Sequence, residues 1–305
     1  GYTKEFAAGV IANAGTLGIL IPPSIVMVVY AAATNVSVGR MFLAGVIPGL
    51  LAGLMLMIAI YVIARIRNMP AGSFAGWREI YMSFRDAIWG LLLIVIIMVG
   101  IYGIPGITGA IFTPTEAAAV AAFYALLVSA LFYRSVSFKD FYQALLGSAR
   151  STASVGVLVA GAITFNYVIT RENLPVSISE LLGQYELSRF WFLIVINLLF
   201  LALGMVLEGG AILLIIVPIL IPSVRAMGID LVHFGVIVVV NAMIGLITPP
   251  YGLLLFITAN ITQQPVGRII RDVWPFIIAL LVALMVITFV PDFVLFLPRL
   301  LGYQG

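Results

Sequence analysis

Phe6-Ala-Ala-Gly-Val-Ile-Ala-Asn13, continued by Gly15-Thr-Leu-Gly-Ile-Leu-Ile-Pro22-Pro23, returns in outline far down the chain. The second copy is Phe234-Gly-Val-Ile-Val-Val-Val-Asn241, continued by Ile244-Gly-Leu-Ile-Thr-Pro249-Pro250. The two asparagines are 228 residues apart and the double prolines 227. Each copy is followed by Val-Gly-Arg, at 38–40 and at 266–268, and then by another proline, Pro48 and Pro275. Four features in register make this an internal repeat. In each copy the double proline removes two backbone donors, clashes with the preceding turn and drives the residue before it out of the α region. Gly15, Gly18 and Gly245 admit unusual backbone angles just upstream. Each copy therefore reads as a helix broken in its middle.

The rest of the sequence says where that break lies. Of 305 residues, 63% are hydrophobic and 9% charged, too few charges to cover a soluble globule and too much apolar content for a disordered chain. No cysteine is present, which excludes disulfides, thiol nucleophiles and cysteine metal clusters, and the single histidine, His233, excludes a multi-histidine site. The formal charge of +3 is scattered without a basic run, so nucleic acid is not an expected partner. The partner is the lipid bilayer, and the fold class is an all-α polytopic membrane protein, because every backbone polar group in lipid must be paired internally.

Charges delimit the crossings. A span needs about 20 apolar residues. Suitable intervals run between Glu5 and Arg40, Arg40 and Arg65, Asp86 and Glu116, Glu116 and Arg134, Arg150 and Arg171, Asp230 and Arg268, and Asp272 and Asp292, seven in all. Asn13 falls in the first and Asn241 in the sixth, five crossings on, and this odd step means that the two copies enter the membrane from opposite sides. Inverted repeats with helices broken by glycine and proline mark the binding site of a secondary transporter. Placing Lys4 in the cytoplasm puts Arg65, Arg67, Arg78, Arg85, Arg134, Lys139, Arg150, Arg268 and Arg271 there too, ten with Lys4. That leaves Arg40, Arg171, Arg189, Arg225 and Arg299 outside, five. The positive-inside rule favours this orientation, with the C-terminus outside. Trp77–Trp89 and Leu174–Leu182 read either as helices lying at the interface or as connecting loops. No segment reads as a cleavable signal peptide.

Carbonyls freed at the two breaks need helices, water or a cation as partners. Asn13, Thr16, Asn241 and Thr248 add side-chain oxygens beside them. An all-oxygen ligand set suits a hard cation such as sodium. A kinked helix satisfied by its neighbours is the alternative. Between Arg189 and Arg225 an apolar stretch is interrupted by Glu208-Gly209-Gly210. Phe190–Leu207 makes one arm and Ala211–Pro222 a shorter one. This reads as a re-entrant hairpin with its tip near the second break, or as an outer loop joining two short spans. An intramembrane Glu208 would ligate a cation, carry a proton or tie the tip. If the repeat is genuine, a matching hairpin precedes Phe6, and the chain reads as the remainder of a longer protein. Thr113 or Thr115 is expected to cap the helix that begins near Pro114, with Glu116 in its first turn. His233, beside Asp230, is expected to have a local capping or ion-pair role.

Several stretches resemble one family in order along the chain. They are Gly15-Thr-Leu-Gly-Ile-Leu-Ile-Pro-Pro-Ser24, Phe42-Leu-Ala-Gly-Val-Ile-Pro-Gly49, Ile111-Phe-Thr-Pro-Thr-Glu-Ala-Ala-Ala119, Gly228-Ile-Asp230 with His233-Phe-Gly235, and Thr248-Pro-Pro-Tyr-Gly252. The chain is similar to the C-terminal two-thirds of the large membrane subunit of tripartite ATP-independent periplasmic (TRAP) transporters. The resemblance implies a sodium-driven, elevator-type importer of organic acids, C4-dicarboxylates or sialic-acid-like carboxylates, in the bacterial inner membrane with a periplasmic C-terminus. It implies two partners, a small four-helix membrane subunit and a soluble periplasmic binding protein, and no organic cofactor. It assigns residues 1–36 to the first broken helix of a moving transport domain and 37–150 to scaffold spans and an interfacial arm helix. Residues 151–189 lead into the second repeat, 190–262 form its hairpin and second broken helix, and 263–305 a last scaffold span. The implied sodium ligands are Asn13, Gly15, Gly18, Gly204, Glu208, Gly209, Asn241, Gly245 and Thr248, largely through backbone carbonyls. Asn13, Thr16, Asn241 and Thr248 are the candidate substrate contacts. The hairpin motif Gly204-Met-Val-Leu-Glu208 keeps the family's acid, but Gly209-Gly210 stands where many members carry small or hydroxyl residues.

Enzyme chemistry has little support. A membrane aspartyl protease needs paired carboxylates in spans, and no phosphate-binding loop occurs, with Lys4 and Lys139 the only lysines. An ion channel and a proton-coupled antiporter using Glu208 remain as alternatives.

Overall fold

The structure is a computed structural model that describes residues 2–70, 72, 74–104, 107–184 and 187–304. Among the described residues it is helical throughout, with no strand. The helices are α1 (Lys4–Thr16), α2 (Ile25–Thr34), α3 (Val38–Ile66), α4 (Trp77–Tyr102), α5 (Pro114–Phe132), α6 (Phe138–Arg171) and α7 (Leu174–Gln184). They continue with α8 (Arg189–Gly204), α9 (Gly209–Ala226), α10 (Leu231–Gly245), α11 (Leu253–Thr262), α12 (Val266–Phe289) and α13 (Pro291–Leu300). Six of these, α3, α4, α5, α6, α9 and α12, are long and apolar enough to cross a membrane. The chain is an all-α polytopic membrane protein.

Two of the seven expected crossings are not single helices. The interval after Glu5 is α1, a short 3-10 turn at Leu17–Ile19, and then α2. The interval after Asp230 is α10, a non-helical stretch, and then α11. Both breaks fall where the double prolines put them, and Pro22–Pro23 and Pro249–Pro250 are both cis. Ser24 restarts the first copy by accepting the Met27 N–H, while Gly252, in the left-handed region at φ 49°, restarts the second.

Two expectations are corrected. Trp77–Trp89 is neither a separate interfacial helix nor a loop, because it runs without interruption into the span as α4. The second arm of the interrupted stretch is the longer one. It does not stop at Pro222 but continues to Ala226, giving 18 residues against 16 in α8. Pro222 stands inside the helix, and so does the earlier Pro218. Pro218 cannot donate to the carbonyl of Leu214, four residues back. That carbonyl instead accepts the Asn166 Nδ2 at 2.8 Å, and the helix passes the proline through a π turn at Ile212–Ile216.

The chain divides into two compact units, Gly1–Pro70 with Leu158–Gly305, and Ala71–Val157. In the second, α4 packs on α5. Thr113 caps α5 in a reciprocal capping box: its hydroxyl accepts the Glu116 N–H, and Glu116 accepts the Thr113 N–H at 2.8 Å. This is the structural role expected for both residues. In the first unit α10 is the central helix. Every residue from Val232 to Gly245 is buried, which suits a helix apolar on all faces. Around it pack α2, α3, α8, α12 and α13.

Side-chain contacts fix the direction of the repeats. Glu5, at the start of α1, pairs with Arg268 at the start of α12 (3.3 Å), and Arg67, just past the end of α3, pairs with Asp272 of α12 (2.8 Å). The start of α1, the end of α3 and the start of α12 thus share one end of the unit. At the other end, His233 at the start of α10 meets the carbonyl of Ile287 near the end of α12 (2.8 Å). There too Arg40, at the start of α3, lies 4.8 Å over the ring of Tyr303, whose hydroxyl donates to Asp230. Hence α1 and α10 run in opposite directions, as odd parity requires.

Candidate functional site: the two helix breaks

Asn13 and Asn241 occupy equivalent places, each one turn or less before its helix ends. Both are buried, at 1% and 0% exposure. Asn13 Nδ2 donates to the Gly9 carbonyl at 2.8 Å, and Asn241 Nδ2 donates to the Ile237 carbonyl, also at 2.8 Å. Each amide is therefore oriented by a carbonyl four residues back, and only the NH2 group can face an acceptor. That fixes which atom is left. Among the described residues, Oδ1 of Asn13 and Oδ1 of Asn241 are buried without a partner. A buried acceptor left unpaired costs about 1–3 kcal/mol, and here the cost is incurred at both equivalent sites.

Thr16 and Thr248 stand beside them. The Thr16 hydroxyl donates to the Asn13 carbonyl at 2.7 Å, and that of Thr248 to the Ile244 carbonyl at 2.6 Å. Each hydroxyl oxygen keeps acceptor capacity. The Leu17–Ile19 turn of the first break touches α10, the helix that ends in the second break.

Around the second break the expected residues converge. Gly204, the last residue of α8, lies directly against Gly245: a Cβ on Gly245 would come within 2.5 Å of the Gly204 Cα. Gly209 lies against Ala242. The hairpin tip is thus at the second break, as read from the sequence. Glu208 lies within this turn but is exposed. It sits at the N-cap position of α9 without making a side-chain cap bond, and its carboxylate lies over Gly210, where a Cβ would meet Oε2 at 2.9 Å. Gly15 and Gly18 are exposed, with open space where a Cβ would stand. The structure therefore gathers Asn241, Gly204, Gly209 and Gly245 closely, places Asn13 and Thr16 at the partner break, and leaves Gly15, Gly18 and Glu208 on the surface.

Asn197 escaped the sequence reading. It is buried in α8 and accepts the second proton of the Asn241 amide on Oδ1 at 2.7 Å. Its own NH2 donates to the Leu193 carbonyl (2.9 Å) and to the Thr288 hydroxyl (3.2 Å). Its one signal was being the sole amide in the apolar run Phe190–Leu207. His233 differs from its expected role. The carboxylate of Asp230 accepts the backbone N–H groups of Val232 (2.8 Å) and His233 (3.0 Å), so the cap is Asp230 itself. The imidazole turns inward to Ile287, with no ion pair to Asp230 among the described residues. The Asp230 carboxylate is already engaged by two backbone N–H groups and the Tyr303 hydroxyl, and a buried ring needs a partner, which the Ile287 carbonyl provides.

An unpaired amide oxygen at each break, with hydroxyls and carbonyls around it, is the donor chemistry of a hard-cation site. The residues fit sodium. Asn13 and Asn241 would hold it through Oδ1, with neighbouring carbonyls completing the shell. No groups of three or more histidine, cysteine or acidic residues occur among the described residues, so a site for a transition metal has no support here.

The sequence model of the family described as "Tripartite ATP-independent periplasmic transporter, DctM component" matches residues 1–293. The chain is 49% identical over 302 residues to the C4-dicarboxylate TRAP transporter large permease protein DctM of Pseudomonas aeruginosa, covering 99% of this chain and 69% of that protein. It is 38% identical over 303 residues to the sialic acid TRAP transporter large permease protein SiaM of Vibrio cholerae, covering 99% and 70%. It is 37% identical over 305 residues to the isethionate TRAP transporter permease protein DctMQ of Oleidesulfovibrio alaskensis, covering 97% and 46%. These relatives are transporter permeases, not enzymes. With inverted broken helices, a hairpin tip seated on one of them, and this match over nearly its whole length, the chain belongs to the DctM-component family of tripartite ATP-independent periplasmic transporters.

Proposed function

We propose that the chain is the membrane permease of a sodium-coupled, binding-protein-dependent importer of organic acids, with C4-dicarboxylates as the first substrate class to test. The observation that carries the coupling ion is the pair of buried, unpartnered Oδ1 atoms of Asn13 and Asn241. The substrate class is supported by the printed function of relatives 49%, 46% and 40% identical, all C4-dicarboxylate permeases. In this reading residues 1–36 and 190–262 move as the transport domain against scaffold segments in 37–150 and 263–305, an elevator. The partners are a small four-helix membrane subunit and a soluble periplasmic binding protein, and the membrane is the bacterial inner membrane, with the C-terminus in the periplasm.

The test is thermal stability of the complete purified permease in detergent, titrated with sodium against choline and potassium at fixed ionic strength. A ligand that binds only the folded state stabilises by roughly 2.7 kcal/mol at 100 times its dissociation constant. The expected result is a saturable, sodium-specific rise in Tm, followed by sodium-dependent succinate uptake in proteoliposomes supplied with the binding protein. No sodium-specific rise would overturn sodium coupling. Loss of coupled uptake on Glu208→Gln would then favour a proton-coupled mechanism.

A further inference from the structure

At the end of the first unit where α1 and α12 begin and α3 ends, Arg67, Arg268 and Arg271 line an open cavity of about 380 Å3 together with Glu5 and Asp272. Arg67 pairs with Asp272 and Arg268 with Glu5. Among the described residues Arg271 has no acidic partner. Three guanidinium groups against two carboxylates leave one positive charge in the cavity lining, and Lys4 and Arg65 stand at the same end of the unit.

Directly beside this cavity, the same two helices form a groove of about 300 Å3. Its walls are Met55, Ile58 and Val62 on α3 and Pro275, Ile278 and Val282 on α12. No charged or hydrogen-bonding side chain lines it. Val62 is five residues before Arg67, and Pro275 is three residues after Asp272. From Val62 back to Met55 the groove runs about 10 Å along the helix. Ile278 and Val282 are 58% and 51% exposed in it. A surplus positive charge thus sits at the mouth of a purely apolar slot on a membrane-spanning helix pair.

We infer that this is a binding site for a monoanionic phospholipid, with its phosphate at Arg271 and the neighbouring arginines and one acyl chain in the slot between α3 and α12. The sign of the charge selects the lipid. A net positive lining suits a phosphodiester, whereas a zwitterionic lipid would bring an ammonium group to the same arginines. Basic pockets between transmembrane helices are suited to anionic headgroups. The slot supplies what a free anion cannot use, an apolar wall against which one acyl chain packs by van der Waals contact. In the orientation proposed above, the site faces the cytoplasmic leaflet.

The experiment is thermal stability of the complete permease in mild detergent, titrated with dioleoyl phosphatidylglycerol, dioleoyl phosphatidylcholine or glycerol 3-phosphate at constant sodium. Phosphatidylglycerol is expected to give a saturable rise in Tm, with phosphatidylcholine at least about fivefold weaker in midpoint, the factor one arginine contributes at an anionic surface. Glycerol 3-phosphate is expected to have no effect. Arg271→Gln should move the phosphatidylglycerol midpoint about fivefold towards that of phosphatidylcholine, and Arg271→Lys should keep it. Ile278→Trp should fill the slot and abolish the preference. Equal midpoints for the two lipids, an equal effect of glycerol 3-phosphate, or an unchanged Arg271→Gln would overturn the site. So would a photo-crosslinker at Ile278 that captures a protein segment or a second copy instead of lipid. Arg271 makes no contact in the sodium site, so this result is independent of sodium coupling.

Discussion

Gly245 and Gly204 touch backbone to backbone. A Cβ on Gly245 would stand 2.5 Å from both Cα and the carbonyl carbon of Gly204, and 2.8 Å from its carbonyl oxygen. This is how the hairpin tip is seated on the second broken helix. No rotamer change can relieve a clash with backbone. Gly245→Ala is therefore expected to lose about 1–3 kcal/mol of stability, the usual size of overpacking. Gly204→Ala is expected to lose less, because its nearest contact, Gly245 Cα, is at 3.2 Å. Gly267→Ala, with nothing within 4 Å inside α12, is expected to gain a few tenths to about 1 kcal/mol from helix propensity. Thermal denaturation of the three variants in detergent checks the order. Equal losses at positions 245 and 267 would sink the packing argument.

The sodium reading separates at Asn13. Asn13→Ala removes the bond to the Gly9 carbonyl but also removes the unpaired Oδ1. The two effects oppose each other, each on the order of 1 kcal/mol. Stability without sodium should thus change little. The sodium-dependent increment should fall from roughly 2.7 kcal/mol at 100 times the dissociation constant to a small fraction of it. A variant that keeps the full increment would show that Asn13 is not a ligand. Asn241→Ala cannot be read as simply, because it also strips the Asn197 Oδ1 of its donor.

Asp230 and Tyr303 tie the start of α10 to the C-terminal end of the chain. The Tyr303 hydroxyl donates to Asp230 Oδ2 at 2.6 Å while Asp230 Oδ1 caps the helix. Burial, and then this bond, holds the phenol above its ordinary value of 10.0. A raised phenol pKa means that the fold favours the neutral hydroxyl. Its contribution is complete below about pH 10 and is lost as pH rises through the folded value. Tyr303→Phe should lower stability by about 1 kcal/mol, and by the same amount from neutral pH up to about 10. Asp230→Ala should lose about 2 kcal/mol, since it removes the cap as well. Melting curves at several pH values test both. A loss in Tyr303→Phe that disappears already at neutral pH would contradict the assignment.

Much of this could be read from sequence because membrane burial leaves few ways to pair a backbone. The double prolines placed both breaks, charge spacing bracketed α3 and α5 but not the whole of α4 or α9, and crossing parity gave the inversion that Glu5–Arg268 and Asp230–Tyr303 display in space. Asn13 and Asn241 were found because a repeat marks equivalent positions whatever they do. Asn197 was not, because a lone amide in an apolar run carries no period, and its partner Thr288 is 91 residues away. Glu208 stood out as the one acid in an apolar stretch, but that signal does not tell that its side chain is exposed and makes no cap bond. The second arm was cut short at Pro222 because a proline ordinarily ends a helical pattern, whereas here the helix continues through it to Ala226.

The Asn166 amide that reaches α9 provides the last prediction. Pro218 leaves the Leu214 carbonyl without its helical partner, and Asn166 Nδ2 supplies the bond instead. Asn166→Leu should destabilise by roughly 1 kcal/mol, since it leaves a half-buried acceptor unpaired. In a Pro218→Ala background the restored N–H can reach Leu214, four residues back, as in an ordinary helix. There the same Asn166→Leu change should lose half as much or less. The double-mutant cycle isolates the coupling, since each single variant removes a different candidate donor to one acceptor. Melting temperatures of the four proteins in one detergent measure it. Strictly additive losses would mean that the carbonyl is satisfied some other way, and that α9 passes its proline without help from α6.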